Sequence, residues 1–100
     1  MNLSGKTAIV TGGARDIGRA ISLKLASLGA NVVVNYFNKP EDGEETVKLI
    51  KASGGNAIAV KADMTSWEGC QSLVAAAQKA FGDEIHYLIN NAGGLVARKK

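Results

Sequence analysis

The strongest constraint on the fold is the alternation of short apolar runs with helical patterns along the 100 residues. Residues 6–11 are rich in β-branched side chains and end at a pair of glycines, which is typical of a buried strand. Residues 31–36 contain three consecutive valines. A strand without polar alternation is covered on both faces, as strands of parallel sheets are.

Two further runs, at residues 56–61 and 87–89, complete a set of four predicted strands. The segments between them read as helices. The first covers residues 16–28 and stops at Gly29, the second begins at Pro40 and stops at residues 54–55, and the third extends to Gly82. Residues 65–68, Thr-Ser-Trp-Glu, match a capping box with Thr65 as the N-cap of the third helix.

This order predicts an α/β fold, because short right-handed crossovers produce a parallel sheet with helices on both faces. We expect the strand order 3-2-1-4, which is the first half of a Rossmann-type doubly wound sheet.

Composition excludes several classes of protein. A hydrophobic share of 46% with 21% charged residues is ordinary for a globular domain, and the longest apolar run, residues 73–77, is far shorter than the about 20 residues of a membrane span. The net charge of +3 equals the three basic residues at 98–100, so we expect no nucleic-acid partner. Cys70 is the only cysteine, so we expect no metal site. The lone cysteine and the absence of a secretion signal favour a location in the cytoplasm.

A glycine-rich turn follows the first strand. Residues 11–18 read Thr-Gly-Gly-Ala-Arg-Asp-Ile-Gly and open directly into a helix. Glycines let the backbone approach a pyrophosphate, and the helix N-terminus attracts its charge. A Walker-type loop would need Lys and then Ser or Thr after the last glycine, where Arg19 and Ala20 stand. ATP hydrolysis is therefore disfavoured, although a simple tight connection would also explain the turn.

The ends of the next two strands favour a nucleotide, because ligands of open parallel sheets bind beyond the carboxyl ends of the strands. Asn35 and Tyr36 stand where an acid would bind the ribose of NAD. Arg15 and Lys39 could instead face a ribose phosphate, which favours NADP over NAD. Asp63 could accept a hydrogen bond from an adenine amino group, or could be a turn residue only.

Residues 90–93, Asn-Asn-Ala-Gly, suit either a bend against a cofactor ribose or a polar turn. Together with residues 11–18 and Asp63 they resemble the short-chain dehydrogenase/reductase family, whose pattern reads TGxxxGxG, then a lone D, then NNAG. The resemblance extends over essentially all 100 residues. Within the family it is strongest to the beta-ketoacyl-acyl-carrier-protein reductase type.

The resemblance implies an NADP-dependent oxidoreductase that moves a hydride between nicotinamide and a carbonyl or alcohol. The implied substrate is a small molecule or a 3-oxoacyl-carrier-protein, and the implied assembly is a homotetramer. The implied cofactor contacts are Gly12, Arg15, Ile17 and Gly18 at the phosphates, Asn35, Tyr36 and Phe37 at the adenine ribose, Asp63 and Met64 at the adenine, and Asn91, Ala92 and Gly93 at the nicotinamide ribose.

One departure from the family pattern is Asp16, which replaces the middle glycine and puts a carboxylate beside the expected phosphates. Two like charges about 6 Å apart repel by roughly 3 kcal/mol at an effective dielectric near 20. We therefore expect Asp16 to face outward, to cap the helix, or to pair with Arg15 or Arg19, with cofactor binding retained.

A second departure concerns catalysis. The family's proton donor is a Tyr followed four positions later by Lys, but Tyr36 is followed there by Pro40 and Tyr87 by Asn91. We expect no catalytic residue within residues 1–100, and we expect this segment to be the N-terminal cofactor-binding part of a single Rossmann domain whose remainder is absent. The alternatives are a non-catalytic nucleotide-binding module and, less favoured without an acid after the second strand, a methyltransferase that uses S-adenosylmethionine.

Overall fold

A computed structural model of the protein describes residues 2–12, 14 and 16–90. Strands and helices alternate along this part of the chain, within two residues of the predicted bounds. They are β1 Thr7–Thr11, α1 Asp16–Ser27, β2 Asn31–Tyr36, α2 Pro40–Ala52, β3 Asn56–Lys61, α3 Trp67–Phe81 and β4 Tyr87–Asn90. No helix in the described residues has the length and apolar character needed to cross a membrane.

The four strands form one parallel sheet in the order β3-β2-β1-β4, as predicted. In this register Thr11 lies opposite Asn90, and Asn35 lies opposite Val60. The carboxyl ends of all four strands therefore reach the same edge of the sheet.

The sheet separates two apolar cores. Side chains on one face, including Val32, pack with α1 and with Ile50 of α2. Side chains on the other face, including Val33, pack with Leu73 of α3. Because successive side chains of a strand point to opposite faces, the consecutive valines of β2 supply both cores. This explains why their run shows no polar alternation.

The start of α3 differs from the expected capping box. Ser66, not Thr65, is the N-cap, and its Oγ accepts a hydrogen bond from the backbone N–H of Gly69 at 2.9 Å. The Thr65 hydroxyl donates instead to Asp63 Oδ1 at 2.6 Å. The prediction was wrong by one residue because Asp63 engages Thr65 before the helix begins.

The close packing of Gly69 of α3 against the backbone of Asp63 leads to a test. A Cβ at this position would overlap the backbone carbonyl of Asp63 and would lie 2.9 Å from Ser66 Oγ. A backbone atom cannot rotate away, so Gly69→Ala should lower the free energy of unfolding by about 2 kcal/mol, although alanine usually favours a helix over glycine by about 1 kcal/mol. Urea unfolding measures the difference. Gln71→Ala, on the exposed side of α3, is the control, and a Gly69→Ala protein more stable than wild type would contradict the packing described.

Candidate functional site

Two adjoining clefts lie at the carboxyl ends of β1, β2 and β3. The first has a volume of about 180 Å³ and the second about 330 Å³. Three residues line both of them, namely Gly12, Asn35 and Phe37. The clefts thus adjoin each other, and we call them together the strand-end groove.

Most of the described site residues predicted from the sequence border this groove. Tyr36 lines the first cleft, and Asp63 and Met64 line the second. Three others, Asp16, Ile17 and Gly18, lie in the first turn of α1, where Ile17 is 69% exposed and Gly18 is buried. Four predicted contacts lie outside the described residues, namely Arg15, Asn91, Ala92 and Gly93.

Asn35 reaches the groove but directs its side chain into the protein. Only 2% of the residue is exposed. Its Oδ1 accepts the backbone N–H of Gly12 at 3.0 Å, and its Nδ2 donates to the carbonyl of Ala62 at 3.2 Å. Of the three residues expected at the adenine ribose, Phe37 presents the most surface, with 56% exposed.

Arg19 ties α1 to α2 beside the groove. Its Nε donates to the hydroxyl of the buried Thr46 at 2.8 Å and to the carbonyl of Ala14 at 3.2 Å. Its Nη2 donates to the carbonyl of Asp42 at 3.3 Å. These contacts hold the loop after β1 against α2. The sequence suggested an ion pair between Arg19 and Asp16. It could not indicate the carbonyl groups to which Arg19 donates, because these are brought together only by the fold.

Asp63 presents a carboxylate to the second cleft. Its Oδ1 accepts hydrogen bonds from the hydroxyl of Thr65 at 2.6 Å and from the backbone N–H of Thr65 at 2.9 Å. These bonds, the hydroxyl first, lower the pKa of Asp63 below its ordinary value. The side chain is therefore ionised at neutral pH and can only accept hydrogen bonds, as the predicted adenine contact requires.

Thr11 joins the glycine turn to the end of β4. Its hydroxyl lies 3.1 Å from Asn90 Oδ1 and 3.3 Å from the carbonyl of Ile89. The described end of β4 therefore lies directly beside the end of β1. The sequence indicated Thr11 only as part of the family pattern, whereas the structure shows that its buried hydroxyl also shapes the site.

Asp16 adopts a backbone conformation that glycine favours. Its φ is 55°, and it is the only described residue other than glycine with a positive φ. It is also exposed to solvent, and the direction of its carboxylate relative to a bound phosphate stays a prediction. The family pattern has glycine here, and the left-handed backbone supplies a physical reason that the charge argument missed.

Comparisons with known proteins place the chain in a family. Residues 6–100 match the sequence model described as short chain dehydrogenase. The chain belongs to the short-chain dehydrogenase/reductase family. Members of this family bind a nicotinamide cofactor.

Several curated relatives match about nine tenths of the chain. Glucose 1-dehydrogenase 2 of Bacillus subtilis is 44% identical over 92% of this chain and 35% of its own length. Trihydroxynaphthalene reductase PfmaI of Pestalotiopsis fici is 41% identical over 92% of this chain and 32% of its own length. The chain thus spans about a third of these two relatives. It covers 84% of a shorter one, the short-chain dehydrogenase/reductase homolog YusS of Bacillus subtilis, at 41% identity.

Solved structures confirm the fold. A Serratia marcescens short-chain dehydrogenase/reductase mutant superimposes with a TM-score of 0.88 at 39% identity, over 93% of this chain and 38% of that one. Hydroxysteroid dehydrogenase of Escherichia coli gives 0.86 at 38% identity, over 93% of this chain and 39% of that one. The names of these relatives differ in substrate, so the beta-ketoacyl reductase type is not confirmed.

The conformation of Asp16 leads to a test with two variants. Asp16→Ala should lower the free energy of unfolding by about 1 kcal/mol, because alanine tolerates a left-handed backbone less well than aspartate. The free energy of unfolding of Asp16→Gly should lie within about 0.5 kcal/mol of the wild-type value, since relief of backbone strain offsets the greater entropy of the unfolded chain. Chemical denaturation provides both values.

The same variants test the orientation of the Asp16 carboxylate. If it faces away from the bound phosphates, Asp16→Gly should change the dissociation constant for NADPH by less than about tenfold. A gain in affinity near a hundredfold would show that the carboxylate points at the cofactor.

Proposed function

We propose that this chain is the NADPH-binding part of an oxidoreductase that transfers a hydride between nicotinamide and a carbonyl or alcohol. The observation that carries the proposal is the strand-end groove, which brings the glycine turn, Phe37 and the ionised Asp63 to one edge of the sheet. Family membership supports the class of reaction.

The residues around the groove fit a dinucleotide. Amide groups in the first turn of a helix lack intrahelical acceptors and attract phosphate, and α1 presents its first turn at this edge. Phe37 and Lys39 would border the adenosine ribose, and Asp63 with Met64 would contact the adenine. When bound, the cofactor supplies or accepts the hydride at its nicotinamide ring.

The charge at the end of β2 supports NADP rather than NAD. Residues 35–37 are Asn-Tyr-Phe, so the end of β2 itself carries no carboxylate for a ribose hydroxyl of NAD, and the nearest described carboxylate in the first cleft is Asp42 of α2. Lys39 lines the first cleft and can attract a ribose phosphate. A relative 40% identical over 91% of this chain and 37% of its own length is named NADPH-dependent aldehyde reductase-like protein, from Arabidopsis thaliana.

For the whole protein we propose a cytoplasmic homotetramer that reduces a 3-oxoacyl-carrier-protein, the substrate and the assembly being those that the family resemblance implies. The relatives named for glucose and trihydroxynaphthalene make sugars and aromatic alcohols the comparison substrates. The proton donor of this reaction would lie outside residues 1–100, which contain no Tyr followed four positions later by Lys. Oxidation of NADPH by the whole protein with the 3-oxoacyl substrate, and reduction of NADP+ with the sugar or the aromatic alcohol, decide among them.

A second candidate is a nucleotide-binding module without catalytic activity. One observation favours it, namely that this chain covers 84% of a short relative, YusS. Such a module would bind NADPH with the same groove and oxidise none of it with any substrate.

Lys39 provides a test of cofactor choice. Lys39→Ala should weaken NADPH binding by about fivefold, because an exposed ion pair with the ribose phosphate contributes up to about 1 kcal/mol. It should leave NADH binding unchanged, since NADH has no such phosphate. Lys48→Ala, on an exposed position of α2 outside the groove, removes the same charge as a control.

Titrations followed by the fluorescence of the reduced cofactor measure these constants. Equal losses for NADPH and NADH in Lys39→Ala would refute the assignment of Lys39. Tighter binding of NADH than of NADPH by wild type would refute the choice of NADP.

A further inference from the structure

The side chain of Asn35 connects the ends of three strands. Its Oδ1 holds the N–H of Gly12 at 3.0 Å, directly after β1. Its Nδ2 lies 3.2 Å from the carbonyls of Ala62 and Tyr36 and 3.4 Å from that of Val60. The Asn35 side chain thus spans from the glycine turn, across β2, to the end of β3.

This position requires one acceptor and one donor on the same short side chain. The acceptor faces an N–H, and the donor faces only carbonyl oxygens. Turning the amide over would place its NH2 group against the Gly12 N–H and its oxygen against carbonyls, so the contacts determine its orientation. Since Asn35 is 2% exposed, water cannot readily replace either partner, and an unmade bond carries a desolvation penalty.

We propose that Asn35 is a positioning residue whose side-chain amide links the backbone N–H of Gly12 to the carbonyl of Ala62. We call this pair of hydrogen bonds the latch, and it excludes an acidic side chain from position 35. Its consequence for the cofactor rests on the proposed function. The latch directs the Gly12 N–H into the protein, so this amide is not among the groups that would contact the phosphates. The hydrogen bonds of Asn35 are then a structural reason for the absence of an acid at position 35. This reason is separate from any preference for NADP.

The substitution Asn35→Asp shows why the acid is excluded. The introduced carboxylate would keep an acceptor for Gly12 but would place its second oxygen against the carbonyls of Ala62 and Tyr36. Both repulsion and burial disfavour the charge there, so the pKa of the introduced carboxyl would be raised. When protonated, the same carboxyl could donate to Ala62 and restore the latch.

The pH dependence follows from this raised pKa. A carboxyl that binds its proton more tightly in the folded state destabilises the fold above its folded pKa, and this penalty shrinks as the pH falls toward the unfolded value. The other titratable groups beside Asn35 are Tyr36, Lys39, Asp42 and Asp63 around the groove and Lys61 at the end of β3. They are the same in wild type and variant, so the difference between the two isolates the new carboxyl.

The experiment compares wild type with Asn35→Asp and Asn31→Asp without nucleotide. Asn31 lies at the opposite end of β2, where its Oδ1 accepts from Asn56 Nδ2 at 3.4 Å in an exposed contact. We expect Asn35→Asp to melt roughly 10 °C below wild type near pH 8, because its free energy of unfolding should be lower by about 2 kcal/mol. Near pH 5 this deficit should fall by about a third, and Asn31→Asp should melt close to wild type at both pH values.

Hydrogen exchange of the Gly12 amide is a second measurement. Its protection near pH 8 should be at least tenfold lower in Asn35→Asp than in Asn31→Asp, because the latch that covers it is broken. A melting deficit below about 2 °C near pH 8, or one that is equal near pH 5, would overturn the proposal. So would an Asn35→Asp protein that is unfolded at every pH in this range, since a neutral carboxyl should restore the bonds.

Nucleotide binding separates this proposal from the proposed function. Near pH 8, Asn35→Asp should bind NADPH about tenfold more weakly than wild type. The reason is that about 1.4 kcal/mol of the binding free energy would be needed to order the glycine turn. If wild type binds no NADPH, the proposed function fails, while melting and exchange still decide whether the latch exists.

Discussion

The parallel pairing of β1 with both β2 and β4 is the interaction on which the rest of the structure depends. It places Thr11 opposite Asn90, and the further pairing of β2 with β3 brings the end of β3 to the same edge. The glycine turn, the loop after β2 and Asp63 are far apart in sequence, and only these strand pairings make them neighbours. The candidate site is therefore a property of the sheet as a whole.

Polar contacts refine what the sheet provides. Asn35 joins the glycine turn to β3, Arg19 joins α1 to α2, and the Thr11 hydroxyl reaches the end of β4. Among the described residues no buried side-chain nitrogen or oxygen lacks a hydrogen-bond partner. Such fully bonded groups restrict the loops at this edge to one arrangement, which is what a preformed ligand site needs.

The sequence was sufficient to predict the elements and their order. The unalternating valines of β2 indicated a strand covered on both faces, and the short connections left few ways to arrange four parallel strands. The motifs also located the groove, because they all follow strands and the carboxyl ends of parallel strands meet.

Side-chain directions and backbone conformations were not predictable in the same way. The sequence indicated a ribose contact for Asn35, but the direction of this side chain depends on carbonyls of β3 and the residue after it, some 25 residues away. Asp16 was interpreted through its charge, whereas its φ of 55° shows a left-handed backbone. Ser66 is the N-cap because Thr65 already bonds to Asp63. Each of these outcomes depends on a contact that spacing does not reveal.

The most direct test of the account is a titration of the isotope-labelled protein with NADPH, followed through its backbone amide resonances. Binding at the strand-end groove predicts that the largest changes fall on Gly12, on the first turn of α1, and on Phe37 and Asp63. The outer face of α3, where Trp67 is 72% exposed, should show little change. Changes confined to α3, or none at saturating NADPH, would contradict the account.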